Sequence, residues 1–224
     1  MYHPLENPAW NALNSGNKHL SNGDENVKYF DLEVSPFAGF SQHSTENFSR
    51  LYKKLPGNRP VLYVATKEIT IPSPWRLMNH IKGFQMVYNN DALTSNTTAI
   101  KPLSADHVLQ MVALAKLTQP GPFGMRTIEF GHYHGIFNGD NLVAMAGQRL
   151  LCGNYAEISA VCTHPDHIGK GYARHLLIHQ AERIINEGNT PFLHVRYDND
   201  RAVSVYKDLG FETRTAVHFY VFQK

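Results

Sequence analysis

The chain has 224 residues, 42% of them hydrophobic and 18% charged, with a formal net charge of +2. That is enough to bury a sizeable core, in one large domain or two small ones, and too balanced a charge to argue for nucleic acid or a membrane surface. No apolar run reaches bilayer length, the first residues lack a signal-peptide layout, and Cys152 and Cys162 give no disulfide framework, so a reducing, cytoplasmic setting is expected.

Residues 1–95 read as a first α/β unit. Asn7 and Pro8 can open a short helix, with Asn7 as cap and Pro8 in the first turn. Residues 44–55 fit an amphipathic helix that puts Phe48, Leu51, Tyr52 and Leu55 on one face. A turn at Pro56-Gly57-Asn58-Arg59-Pro60 leads to a strand over 61–65. Residues 75–81 read as a short helix and 84–88 as a second strand. This half carries no catalytic motif. Its aromatics, Trp10, Phe37, Phe40 and Trp75, read as core, and its expected role is packing and substrate covering.

Asn89-Asn90-Asp91 and the polar residues 94–98 mark a linker, and 96–224 form the second unit. Residues 100–103 suit a first strand. Ser104 caps a helix over 105–117 whose buried face carries Val108, Met111, Val112 and Ala115. After a loop at 118–124, strands over 133–137 and 142–147 pair across Asn138-Gly139-Asp140-Asn141. A strand over 155–163 follows, and then a long helix over 170–186 that Gly188 ends. A strand at 192–196, a helix at 199–209 and a strand at 211–222 complete a mixed α/β order. An exposed final strand, 217–222, could pair across a homodimer.

The chemistry gathers in two stretches. In the first, Pro165 stops the strand that ends at Thr163, and Gly169-Lys170-Gly171 turns the backbone into the long helix. A strand feeding a glycine loop at a helix N-terminus is an anion site, because free N–H groups converge there and the helix dipole favours negative charge. No Gly-Lys-Ser/Thr ends the loop and no third glycine completes G-x-G-x-x-G, so neither nucleotide fingerprint fits. The second stretch is Asn199 to Phe211. Asn199 or Asp200 caps a helix, Ala202, Val205, Tyr206 and Leu209 share a face, and Gly210 stops it before Phe211.

Together these stretches resemble the GNAT superfamily of N-acetyltransferases. Ile168-Gly169-Lys170-Gly171-Tyr172-Ala173 matches its Gln/Arg-x-x-Gly-x-Gly/Ala loop at Gly171 and Ala173 and departs at Ile168. Asn199, Ala202, Tyr206, Gly210 and Phe211 match its late Asn-x-x-Ala-x-x-x-Tyr-x-x-x-Gly-Phe motif. The two-part arrangement is similar to the glycine N-acyltransferase-like group, where the N-terminal half looks like a degenerate copy of the fold.

The resemblance implies an acyl-CoA N-acyltransferase fold with a splayed central sheet, and acetyl-CoA as co-substrate. It implies a pyrophosphate site at Ile168, Gly169, Lys170, Gly171, Tyr172, Ala173 and Arg174. It further implies a pantetheine edge at Val161, Cys162 and Thr163, a coenzyme contact at Asn199, and Tyr206 as the acid for the leaving thiolate. Glu157 resembles the gap-strand glutamate that serves as base in the histone-acetyltransferase branch, and Glu129 is an alternative. The acceptor would be a small-molecule or peptide amine, whose identity stays open. A non-catalytic acyl-CoA-binding regulatory module and a transferase of longer acyl groups are the competing readings. His132-x-His134, His164-x-x-His167 and His175-x-x-x-His179 have ligand-like spacings, but no Cys or carboxylate recurs at a matching interval, so no metal is expected.

Overall fold

A computed structural model describes residues 3–90 and 99–224. The expected linker positions from 91 to 98, and with them the boundary at 95/96, lie outside the described residues. Helix α1 (Pro8–Asn14) has proline at its first position. Asn7 does not cap it; the Asn7 amide donates to Phe40 O instead (2.7 Å) and ties the helix to a neighbouring strand. Strands β1 (Ser21–Gly23), β2 (Val27–Phe30) and β3 (Ala38–Phe40) form a small antiparallel sheet. Helix α2 (Thr45–Lys54) is capped by Ser44, whose Oγ accepts from the Asn47 N–H (3.2 Å). It buries Phe48 and Leu51 against Tyr63, Trp75, Tyr220 and Phe222.

Strands β4 (Val61–Ala65) and β5 (Arg76–Tyr88) then enter a sheet they share with the rest of the chain. The helix expected at 75–81 is not there. Residues 76–81 begin β5, one continuous strand, because they pair along β11 and ladder pairing overrides local preference. Gly83 lets β5 approach its neighbour, since a Cβ there would stand 2.6 Å from Val195 O.

The second half supplies β6 (Lys101–Pro102), α3 (Val108–Thr118), β7 (His134–Asn138), β8 (Asn141–Cys152) and β9 (Tyr155–Thr163). Helix α4 (Tyr172–Asn186), β10 (Thr190–Arg196), α5 (Asp200–Asp208) and β11 (Phe211–Gln223) follow. The large sheet runs β4-β11-β5-β10-β9-β8-β7-β6. Only β9 and β10 are parallel neighbours, joined by the α4 crossover. Strand β11 is interior, not the exposed edge expected at the end of the chain; it pairs with both β4 and β5, and Val217, Tyr220 and Phe222 are buried. A dimer through that strand is therefore excluded.

One face of the sheet packs Leu177, Ala181 and Ile184 of α4 and Leu209 behind α5 onto Ile158, Leu193, Val195 and Phe211. The other face is covered by α1 and α3, with Leu5, Leu13, Met111 and Leu114 packed in one cluster with Met145, Cys162, Phe192 and Val217. No described helix is long and apolar enough to cross a membrane. The first half is thus no second splayed sheet among the described residues, and β5, lying between β10 and β11, makes the halves mutually dependent.

A fragment beginning at residue 96 is expected to show no cooperative thermal transition by circular dichroism, since β10 and β11 would lose the strand between them. A sharp melt matching the full chain would show that the shared sheet is dispensable.

Candidate active site

Strands β9 and β10 pair over three residues only, Tyr155 with Thr190, Ala156 with Pro191 and Glu157 with Phe192. Beyond that point β9 bonds to β8 alone and β10 to β5 alone. The two strands part, and their facing backbone groups have no ladder partner. A cleft of about 360 Å³ opens in the split and runs out over α4 and α5.

At the outer end, Gly169 (φ 88°) and Gly171 (φ 78°) turn the chain in the left-handed region that favours glycine. Gly171 is the N-cap of α4 and supplies no side chain, so the first-turn N–H groups stay open toward the cleft. Ile168, Gly169, Gly171, Tyr172, Ala173 and Arg174 all line it. Lys170 does not; its Nζ lies 3.2 Å from His167 Nδ1. Arg201 adds a cationic side chain and His167 an imidazole, neither of which the sequence reading assigned to this site.

Along the cleft, Val161, Cys162 and Thr163 form the β9 wall. Thr163 Oγ1 is buried without a hydrogen-bond partner, an orphaned polar atom at a site where a ligand amide would satisfy it. Between the pairs Gly147–Ser159 and Met145–Cys162, one residue on β8, Ala146, faces two on β9, Ala160 and Val161, and the extra residue is a bulge. Ala160 within it has φ 54°, a strained setting for a residue with a Cβ. Nothing in the sequence marks Ala160, because an alanine carries no signal for positive φ.

The opposite wall comes from α5. Asn199 caps it, its Oδ1 accepting from the Ala202 N–H (3.1 Å), and also lines the cleft. Ala202, Val205 and Tyr206 project from the same face. Burial raises the Tyr206 phenol to about 12, so it keeps its proton through the neutral range. Burial likewise raises the Cys162 thiol to about 11, against a hydrogen bond from Thr118, which makes it a poor nucleophile.

Glu157 is not in the cleft. Its carboxylate is fully buried at the foot of the split and faces Arg149 Nε at 2.9 Å and His194 Nδ1 at 2.7 Å. Burial alone would raise its pKa, but the charges and hydrogen bonds of Arg149 and His194 outweigh that and hold it at about 2. A carboxylate with its lone pairs so engaged cannot collect a substrate proton, which removes the expected base. Glu129 lies in a 3-10 turn rather than a neighbouring strand, and pairs with Arg126 at 2.6 Å. Among the described residues lining the cleft there is no carboxylate. Nor, among the described residues, do three or more His, Cys, Asp or Glu side chains gather as a metal site.

The FR47-like protein family matches residues 133–220. A GNAT-family protein of known structure from Novosphingobium aromaticivorans is 29% identical, with a TM-score of 0.93 over 100% of this chain and 99% of that one. A GCN5-related N-acetyltransferase from Kribbella flavida has a TM-score of 0.57 at 14% identity, covering 95% of each chain. A GNAT-family acetyltransferase from Colwellia psychrerythraea has 0.55 at 13%, covering 88% of this chain and 80% of that one. These two share the fold. No curated protein matches the chain.

Replacing Glu157 by Ala strands Arg149 and His194, and should cost about 3–5 kcal/mol in denaturant unfolding. A loss below about 1 kcal/mol would contradict the buried pair. The carboxyl is depressed from its ordinary 4.5 to about 2, so its stabilisation is full above pH 4.5 and disappears as pH falls toward 2. That part of the acid destabilisation should be missing in Glu157→Gln.

Proposed function

We propose, from the premise that the chain belongs to the GNAT family, that it moves an acetyl group from acetyl-CoA to a primary amine by direct attack. The observation that carries the reading is a single cleft that joins an open helix N-terminus to the buried phenol of Tyr206 along the unpaired edge of β9. The pyrophosphate would meet the N–H groups that follow Gly171, with Arg174, Arg201 and His167 nearby. The pantetheine amides would bond the free edge at Val161 and Thr163 as an added strand does.

The amine lone pair attacks the thioester carbonyl and a C–N bond forms. The oxyanion is met by a backbone N–H in the bulged part of β9. Collapse then breaks the C–S bond, and the thiolate leaves beside Tyr206. Complete proton transfer from a phenol at about 12 to a thiolate of ordinary pKa about 8.5 is uphill by roughly 5 kcal/mol. Tyr206 therefore acts as a hydrogen-bond donor that stabilises the leaving thiolate. The proton that neutralises the sulfur comes from the attacking amine. With no carboxylate in the cleft, the amine must arrive neutral or lose its proton to water. Residues 1–95 are read as the packing and substrate-covering half.

The absence of a carboxylate lining the cleft also favours a second reading, a regulatory module that binds acyl-CoA without turnover. Titration calorimetry with acetyl-CoA, followed by a panel of amines assayed for free thiol, separates the two. Tight binding with thiol release supports the transferase, and tight binding without release across a broad panel supports the module. Gly171→Glu should abolish binding, because it sets a carboxylate against the pyrophosphate and forces a side chain into φ 78°. Unchanged affinity would remove the loop assignment. Tyr206→Phe should lower turnover about 10²-fold with coenzyme affinity within a few-fold of the native value; full activity would remove its role.

A further inference from the structure

The cleft is lined from both faces of the sheet. Leu177, Ala202, Val205 and Tyr206 reach it from α4 and α5, and Thr118 reaches it from the end of α3, which packs on the opposite face. Among the described residues, Thr118 is the one α3 residue that lines the cleft. Helix α3 stops there. Gln119 turns into the left-handed region (φ 52°) while its N–H donates to Ala115 O (2.8 Å). A glutamine at positive φ is a strained way to end a helix, since glycine takes that position without a Cβ penalty. The Thr118 hydroxyl donates to Leu114 O, one turn back (2.7 Å). It also bonds the sulfur of Cys162, the β9 residue between Val161 and Thr163 on the cleft wall. Thr118 Oγ1 therefore stands beside the unpaired edge of β9.

That oxygen has a defined capacity. A hydroxyl carries one hydrogen and two lone pairs. The hydrogen is taken up by Leu114 O and the Cys162 sulfur, so toward the cleft Oγ1 offers lone pairs only. On the coenzyme reading, the other hydroxyls of the inner cleft have tasks already. Thr163 Oγ1 would meet a pantetheine amide, and the Tyr206 phenol would give its hydrogen to sulfur. No carboxylate lines the cleft to receive an amine N–H. We propose that Thr118 is a further substrate-contacting residue, whose Oγ1 accepts a hydrogen bond from the attacking amine and aims the nitrogen lone pair at the thioester. The proposal rests on the transferase reading above. A neutral amine N–H is a weak donor. As the C–N bond forms, the nitrogen gains positive charge and its N–H becomes a strong donor to the same oxygen. The bond is therefore worth more in the transition state than in the ground state, and its loss falls on turnover. Thr118 keeps its own hydrogen throughout, and the amine proton still passes to the thiolate.

The test uses the amine that releases thiol fastest in the panel above. Thr118→Val keeps the shape and removes the oxygen, and Thr118→Ser keeps the oxygen. Thr118→Val should lower kcat/KM for the amine roughly tenfold, the worth of one hydrogen bond, and mostly through kcat. Its acetyl-CoA affinity, measured by calorimetry, should stay within about twofold of the native value, and Thr118→Ser should keep kcat/KM within about threefold. A merely structural role would move coenzyme affinity and the thermal midpoint together with turnover. Thr118→Ala makes no demand on space and should match Thr118→Val, so it decides the matter if the valine chain does not fold. Native kcat/KM without the oxygen overturns the proposal. Acetyl-CoA affinity that falls in step with turnover also overturns it, as does a serine variant no better than the valine one. A native chain that binds acetyl-CoA but releases no thiol with any amine overturns the transferase reading instead, and the role of Thr118 with it.

Discussion

The structure turns on how little of β9 and β10 is paired. Three residue pairs hold the two strands, and then the ladder stops inside an eight-stranded sheet. Interior backbone groups without partners are costly unless something else bonds them. At the foot, Arg149, Glu157 and His194 bond one another side chain to side chain and bridge the strands where the ladder stops. Further out the split opens as the cleft, whose β9 wall includes Thr163 with its orphaned hydroxyl. The cleft is therefore a product of the sheet's own topology.

The Glu157–His194 pair belongs to a row of polar side chains that depends in turn on the first half of the chain. Gln85 reaches His194 from β5, and Leu5 and Glu6 cover the row from the N-terminal segment, Glu6 pairing with Arg214. Burying charge this way is tolerable only when every member is satisfied. The N-terminal segment thus has a structural part in the row. It completes the hydrogen bonds of a row that crosses both halves, and it shields the row from water.

Local rules made much of the site legible in the sequence. The turn at Gly169 and Gly171, the cap at Asn199 and the shared face of Ala202, Val205 and Tyr206 are set within a few residues of chain, and so they could be read there. What failed depended on distant partners. Residues 75–81 carry helix-compatible side chains, and pairing with β11 makes 76–81 a strand. The last strand looks like an edge until β4 is placed beside it. The resemblance singled out Glu157 but not the arginine and histidine that hold it. Thr118, at the end of α3, joins the cleft wall only through the tertiary fold.

The removal of Glu157 from the reacting space divides the cleft into two electrostatic regimes. The outer end presents a helix N-terminus with Arg174, Arg201 and His167, in contact with solvent, where attraction for phosphate is strong but screened. The inner end is lined by Val161, Leu177, Val205 and the buried Tyr206, with no carboxylate to attract a cation. An ammonium ion gains nothing by entering that region and would lose its hydration. On the proposed reading, a neutral amine would enter at little cost and meet the thioester with its lone pair free. On that same reading, binding energy would be gathered at the phosphate end and the reaction would proceed at the dry end, and Arg149 and His194, by holding Glu157 out of the cleft, keep the two ends different.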